Sequence, residues 1–204
     1  MDVLDSYKKA WENQPDEVRK FSALEIYKMT QANSSSIVKW IFIISILEFV
    51  LLNSLYFFVD TGKAMEEYER LGLSNFVLYS QIAAYTILFY FLVMFYLNYK
   101  RISVIDSTSK LMTKILKTRK TVRNYVLFNL TYIAMVMLTV TTATVKTDLD
   151  VLNTKELLFV ILATLIATTL ILGVFWLFYQ LLYGILLRKL NRNYKELAKL
   201  ETTN

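Results

Sequence analysis

The chain has no histidine and no cysteine among its 204 residues. Those two absences remove disulfides, thiol nucleophiles, imidazole acid–base catalysis and most zinc and non-haem iron sites. Proline occurs once and glycine four times, so little interrupts a helix. Also missing are a glycine-rich phosphate loop and acids paired at catalytic spacing. The expectation is a non-enzymatic protein with no cofactor and no metal. The missing cysteines do not locate the compartment, since short outer loops have little use for disulfides.

What is present is apolar and gathered in blocks. The chain is 55% hydrophobic and 20% charged, with a mean hydropathy of +0.40. A soluble domain is nearer roughly 45–50% apolar, and its apolar residues are dispersed by the helix or strand period. Four blocks reach the roughly 20 residues a membrane span needs: Ile37–Val59, Phe76–Leu97, Tyr125–Val145 and Leu157–Leu187. The last contains no charged residue. Backbone in lipid must satisfy its own hydrogen bonds, which makes the expected fold all-α: a four-helix transmembrane bundle with amphipathic cytoplasmic helices. Residues 1–36 are read as a cytoplasmic helical segment, 37–187 as the bundle with a basic hairpin at 98–124, and 188–204 as a cytoplasmic tail. The lead-in has no short apolar region or small-residue cleavage site, so the first block reads as a membrane helix and not a signal peptide.

Lys and Arg set the orientation. The segment through Lys39 carries six, the stretch between blocks two and three eight, and the stretch after Leu187 five. The other two loops carry only Lys63 with Arg70, and Lys146 with Lys155. The alternation places both termini in the cytoplasm. The net charge of +6 is thus a topology signal, and nucleic acid is not an expected partner.

Outside the blocks, Val3, Leu4, Tyr7 and Trp11 share a helical face and form the best docking surface for a partner. Pro15 before Asp16 and Glu17 reads as a helix start, with Val18, Phe21 and Leu24 as its apolar face. A break is expected at Asp106–Ser109, a cluster suited to a turn and N-cap. Leu111, Met112, Ile115 and Leu116 are then the packed face of the hairpin, and Leu190, Tyr194 and Leu197 continue the fourth helix. Lys110, Lys114, Lys117, Arg119, Lys120 and Arg123 face anionic lipid or an acidic partner, unless they serve topology alone. The acids Glu66, Glu67 and Glu69 are read as solvated.

Glu48 is the one ionisable side chain deep within a block. A carboxylate at that depth costs at least ~2.5–3.5 kcal/mol on insertion scales, and intramembrane acids are functional candidates by default. No Lys or Arg lies in the other blocks. Two solutions stay open. A neutral Glu48 would bond a hydroxyl such as Tyr85, Thr86, Tyr132 or Thr168 and pin its helix. A charged one would meet a cation of a partner subunit, or a transported ion or proton. Ser45 shares its face, whereas Asn53 points elsewhere, and with Gln81 and Asn129 no continuous polar path crosses the bundle. In the fourth block Thr169, Gly173, Gln180 and Gly184 fall within about 60° on a helix of 3.6 residues per turn. They read as a packing stripe, inside the bundle by preference and otherwise against another protein.

The stretches LDSYKKAWENQ and EIYKMTQANSSSIVKWIFIISILEF (Glu25 to Phe49) resemble a group of small multi-span inner-membrane proteins of flavobacteria and related Bacteroidetes. The likeness covers about a quarter of the chain and implies an inner-membrane location, with no activity to transfer. Some members carry a β-carotene oxygenase label. Carotenoid cleavage enzymes bind iron through four histidines, and this chain has none. Three function classes follow: a scaffold or regulatory subunit of a membrane complex, with lipids and another protein or a second copy as partners; a small transporter or oligomeric pore using Glu48; and, least favoured, an enzyme acting on lipid.

Overall fold

The computed structural model describes residues 22–103, 107–148 and 153–203. The docking face of Val3, Leu4, Tyr7 and Trp11, the Pro15 helix start, Val18, Phe21 and Asp106 lie outside the described residues.

The described residues form five α-helices and no strand: α1 Ala23–Ser54, α2 Thr61–Arg70, α3 Ser74–Ser103, α4 Thr108–Asp148 and α5 Thr154–Thr203. All but α2 are long and apolar enough to cross a membrane. Their ends follow local chemistry. Ser22 and Glu25 form a capping box: the Glu25 amide donates to Ser22 Oγ at 3.2 Å and the Ser22 amide to the Glu25 carboxylate at 2.8 Å. Those bonds hold the exposed Glu25 carboxyl below the usual carboxylate range. Asn153 caps α5 in the same way with Glu156. Asp60 caps α2 by accepting from the Lys63 amide. At the far end of α2, Gly72 takes φ +67. The Leu73 and Gly72 amides donate to the carbonyls of Tyr68 and Glu69 there, a Schellman closure that only glycine enters without strain. The expected break within the hairpin is present, with α3 ending at Ser103 and α4 starting at Thr108.

The long helices form a ring, with α1 between α3 and α5 and α4 joining those two. At roughly 1.5 Å per residue, α4 and α5 are about 60 and 75 Å long, about twice a ~30 Å hydrocarbon core. The excess lies at the basic end, where α1 begins, α3 ends, α4 begins and α5 ends.

Packing is uneven along this axis. At the basic end Ile102, Leu111, Ile115, Val122, Leu190 and Leu197 are fully buried. Thr30, Ser34 and Asn193 are buried there too, with Asn193 donating to Ser34 Oγ at 2.9 Å and Asn33 donating to Asn193 Oδ1. Met112 and Tyr194 are half-buried and Leu116 is exposed, so the packed face is narrower than the pattern implies. Nothing on α1 is buried beyond Glu48, on α4 beyond Tyr125, or on α5 before Tyr179. The helices are tight from the basic end up to this layer and looser above it. A watery surround would drive apolar faces inward at the basic end, whereas an apolar solvent would put no such penalty on outward-facing leucines.

Candidate functional site

Glu48 sits at the boundary between the tight and loose halves, and only 3% of it is exposed. Two phenols of α5, one helical turn apart, hold it. Tyr179 donates to Oε1 at 2.7 Å and Tyr183 to Oε2 at 2.8 Å. Both carboxyl oxygens are thereby occupied, and no buried side-chain polar atom is left unsatisfied among the described residues.

The hydroxyls expected to partner a neutral Glu48 were different. Tyr85 instead donates to Asn53 Oδ1 at 2.7 Å, Thr86 bonds its own helix at Ile82, and Tyr132 stacks on Phe128. The reason is register. The fourth block is 31 residues without a charge, from Leu157 to Leu187, and nothing in it marks the level of Glu48. Tyr179 and Tyr183 lie towards its C-terminal end and look like interface aromatics.

The tyrosine pair belongs to an aromatic layer. Tyr125 of α4 packs edge-on against Tyr179 and Tyr183 at 6.2 and 5.8 Å, and against Phe91 and Phe95 of α3 at 5.5 and 5.4 Å. Phe95 and Ile41 are fully buried, so the bundle is closed on the basic side of Glu48. Edge-to-face pairs of this kind contribute about 0.5–1.5 kcal/mol each beyond burial.

On the other side of Glu48 the bundle is hollow. A cavity of about 230 Å³ runs from Ser45, Glu48, Tyr125 and Tyr179 to Tyr56 and Gln81. Eight residues of helix separate Glu48 from Tyr56, about 12 Å of rise. Tyr56 is half exposed at the mouth, where the Gln81 amide reaches its hydroxyl at 3.4 Å. Halfway down lie Asn53 and Tyr85. Phe49, Phe128, Tyr132 and Phe175 supply aromatic wall, and no Lys or Arg is among the described residues lining it. Asn53 and Asn129 thus share the cavity with Glu48, contrary to the dispersed placement expected of them. Ser45 lines the floor but spends its hydroxyl on the Phe42 carbonyl. The polar positions form a ladder through half of the bundle and stop at Glu48, so no path crosses the whole of it.

The remaining candidates lie elsewhere. Thr169, Gly173 and Gln180 are exposed and Gly184 is half-buried. A Cβ on Gly173 would meet nothing within 4 Å, and one on Gly184 only the Gln180 side chain. This stripe does not pack inside the bundle, because Phe175, Tyr179 and Tyr183 take the inward face of α5. Of the basic tract, Arg119, Lys120 and Arg123 flank a groove between α4 and α5; Lys110, Lys114 and Lys117 stand outside it. At the C-terminal end of α2, Arg70 bridges Glu67 at 2.7 Å and Asp148 of α4 at 2.8 Å. That bridge holds the Glu67 carboxyl low and raises the Arg70 guanidinium. Among the described residues no three His, Cys, Asp or Glu cluster as metal ligands.

No curated protein and no solved structure matches the chain. A family model described as a domain of unknown function, DUF8845, matches residues 24–202. That span takes in all four long helices and both ends of the cavity, and the chain accordingly belongs to the DUF8845 family.

Proposed function

We propose that this chain is a non-enzymatic integral protein of the bacterial inner membrane that binds a small organic cation in the cavity above Glu48. It crosses the membrane four times with both termini in the cytoplasm. Helix length and apolarity support the crossing, the Lys and Arg distribution supports the orientation, and the flavobacterial resemblance supports the location. In this frame the cavity opens to the outer side.

The observation that carries the reading is a single carboxyl at the floor of an aromatic-walled cavity without a basic residue. A cation brings the missing countercharge, and its apolar substituents pack on Phe49, Phe128, Tyr132 and Phe175. The volume lies below the roughly 300–1,000 Å³ of drug-sized sites and selects a compact ligand. Tyr179 and Tyr183 keep the carboxyl oriented while the cavity is empty. Transport would in addition require the aromatic layer below Glu48 to open.

The test is titration of the nanodisc-embedded protein with benzyltrimethylammonium by calorimetry. Saturable binding that Glu48→Gln weakens by about tenfold or more supports the reading. Absence of saturable binding, or equal binding by Glu48→Gln, removes it.

The accessory-subunit reading keeps one observation in its favour, the packed cap of helix ends on the cytoplasmic side. A partner protein that co-purifies from native membranes, and is lost when residues 1–21 are removed, would support that reading.

A further inference from the structure

The groove between α4 and α5 has an order along its length that the cavity lacks. At the basic end it is lined by Arg119, Lys120 and Arg123 on α4, with Leu187 facing them from α5. The Arg119 guanidinium donates to Asn191 Oδ1 at 2.8 Å, which fixes the relative height of the two helices. It also leaves most of the five guanidinium donors free. No acid is among the described residues lining the groove, and the carboxylate of Glu196, further along α5, is engaged by Arg192. Towards the bundle centre the lining loses its charge and turns mainly apolar, with Leu127, Leu130 and Trp176 beside the neutral Gln180. From Arg119 to Leu130 the rise is about 16 Å. Over that length Leu127 and Trp176 remain more than half exposed, and the Gln180 side chain lies over Gly184 on the α5 wall.

We propose that this groove is a binding site for an anionic phospholipid of the cytoplasmic leaflet. The phosphate sits between Arg119, Lys120 and Arg123, and an acyl chain lies along Leu127, Leu130 and Trp176. Three features converge on a lipid. The cations stand within six residues of Tyr125, where the apolar block of α4 begins, so they are at headgroup level. The chemistry changes from cationic to apolar in the direction a lipid points. The outward faces of α4 and α5 are apolar without being packed by the chain itself. The site rests on the membrane reading and does not require a ligand in the cavity. It also touches the cavity's support, since Tyr179 and Tyr183 form its back wall.

Native mass spectrometry of the full chain, released from mixed phosphatidylglycerol and phosphatidylcholine micelles, tests the site. The expected result is one retained phosphatidylglycerol per chain. Combined R119Q, K120Q and R123Q should lower its retention by about tenfold or more. Combined K110Q, K114Q and K117Q, on the same helix outside the groove, should leave it unchanged. Equal retention of the two lipids by the unaltered protein overturns the proposal, as does equal loss in both triple variants. Displacement of the lipid by millimolar inorganic phosphate would mark a site for small anions and overturns it too. So does a lipid-free dimer, which would assign the face to a second copy. None of these readouts depends on benzyltrimethylammonium binding, so failure here and failure of the cavity reading are distinguishable.

Discussion

The phenol of Tyr179 reaches Glu48 across 131 residues of chain and donates to it at 2.7 Å. This bond and its Tyr183 counterpart satisfy both carboxyl oxygens from within the chain but bring no countercharge. Removing one phenol should leave a buried acceptor short of a donor, which costs roughly 1–3 kcal/mol. Tyr179→Phe and Tyr183→Phe are each expected to lower the thermal midpoint in detergent. Adding either change to Glu48→Leu should have a much smaller effect than in the unaltered protein. Full additivity in that double-mutant cycle would show that the hydrogen bonds carry no coupling energy.

The Arg70 bridge makes the α2 end sensitive to acid. The folded Glu67 carboxyl titrates below its unfolded value because Arg70 donates to it. Its contribution is therefore present above the unfolded value and is lost as pH falls through the lower folded value. Protection factors of the α2 amides, taken relative to intrinsic exchange rates at each pH, should fall as the pH drops below the ordinary carboxylate range. Glu67→Gln should show the lower protection already at neutral pH. Protection that ignores both changes would mean that the bridge does not hold α2 in place.

Glycine substitutions separate the two kinds of glycine in the chain. Gly72 has φ +67, and Gly72→Ala should cost on the order of 1 kcal/mol in backbone strain. Gly173 is helical with nothing within 4 Å of an added Cβ. Gly173→Ala should be neutral, or stabilising by up to about 1 kcal/mol through helix propensity. A loss at Gly173 comparable to that at Gly72 would point to a close neighbour outside the chain, which thermal unfolding across a protein-concentration series would reveal.

The contrast between those glycines also marks how far the residues alone could be read. Span lengths, the break at Ser107 and the burial of Leu111, Ile115, Leu190 and Leu197 follow from local hydropathy and period, which a single helix carries in itself. Glu48 is conspicuous for the same reason, as a charge in an apolar block. Its donors are not, because the height of α5 beside α1 is a relation between helices, and Leu157–Leu187 offers no charge or proline to index it. The cavity is less legible still. It exists because the half of the bundle above Tyr125 and Tyr179 packs loosely, and volume left unfilled has no sequence period. Gly173 and Gln180 show the converse error: small and polar residues at helical spacing permit close packing, but the bulky Phe175, Tyr179 and Tyr183 decide which face turns inward.

Asn193 provides the test of the packed cap at the basic end. It is 3% exposed and donates to Ser34 Oγ at 2.9 Å while accepting from Asn33, which ties α5 to α1 well outside the apolar blocks. Asn193→Ala removes both bonds and leaves the buried Ser34 hydroxyl without its donor, a loss of about 1–3 kcal/mol. If the cap forms a cooperative unit with the spans, the whole unfolding transition should move to lower temperature. If the cap opens by itself, only the amides around residues 26–34 and 190–200 should gain exchange while the transition stays in place. The continuity of α1 and α5 through Asn33, Asn193 and Glu48 favours the first outcome. In that case Asn193→Ala should also weaken ligand binding at Glu48, because the helix carrying Tyr179 and Tyr183 is then held less firmly against α1.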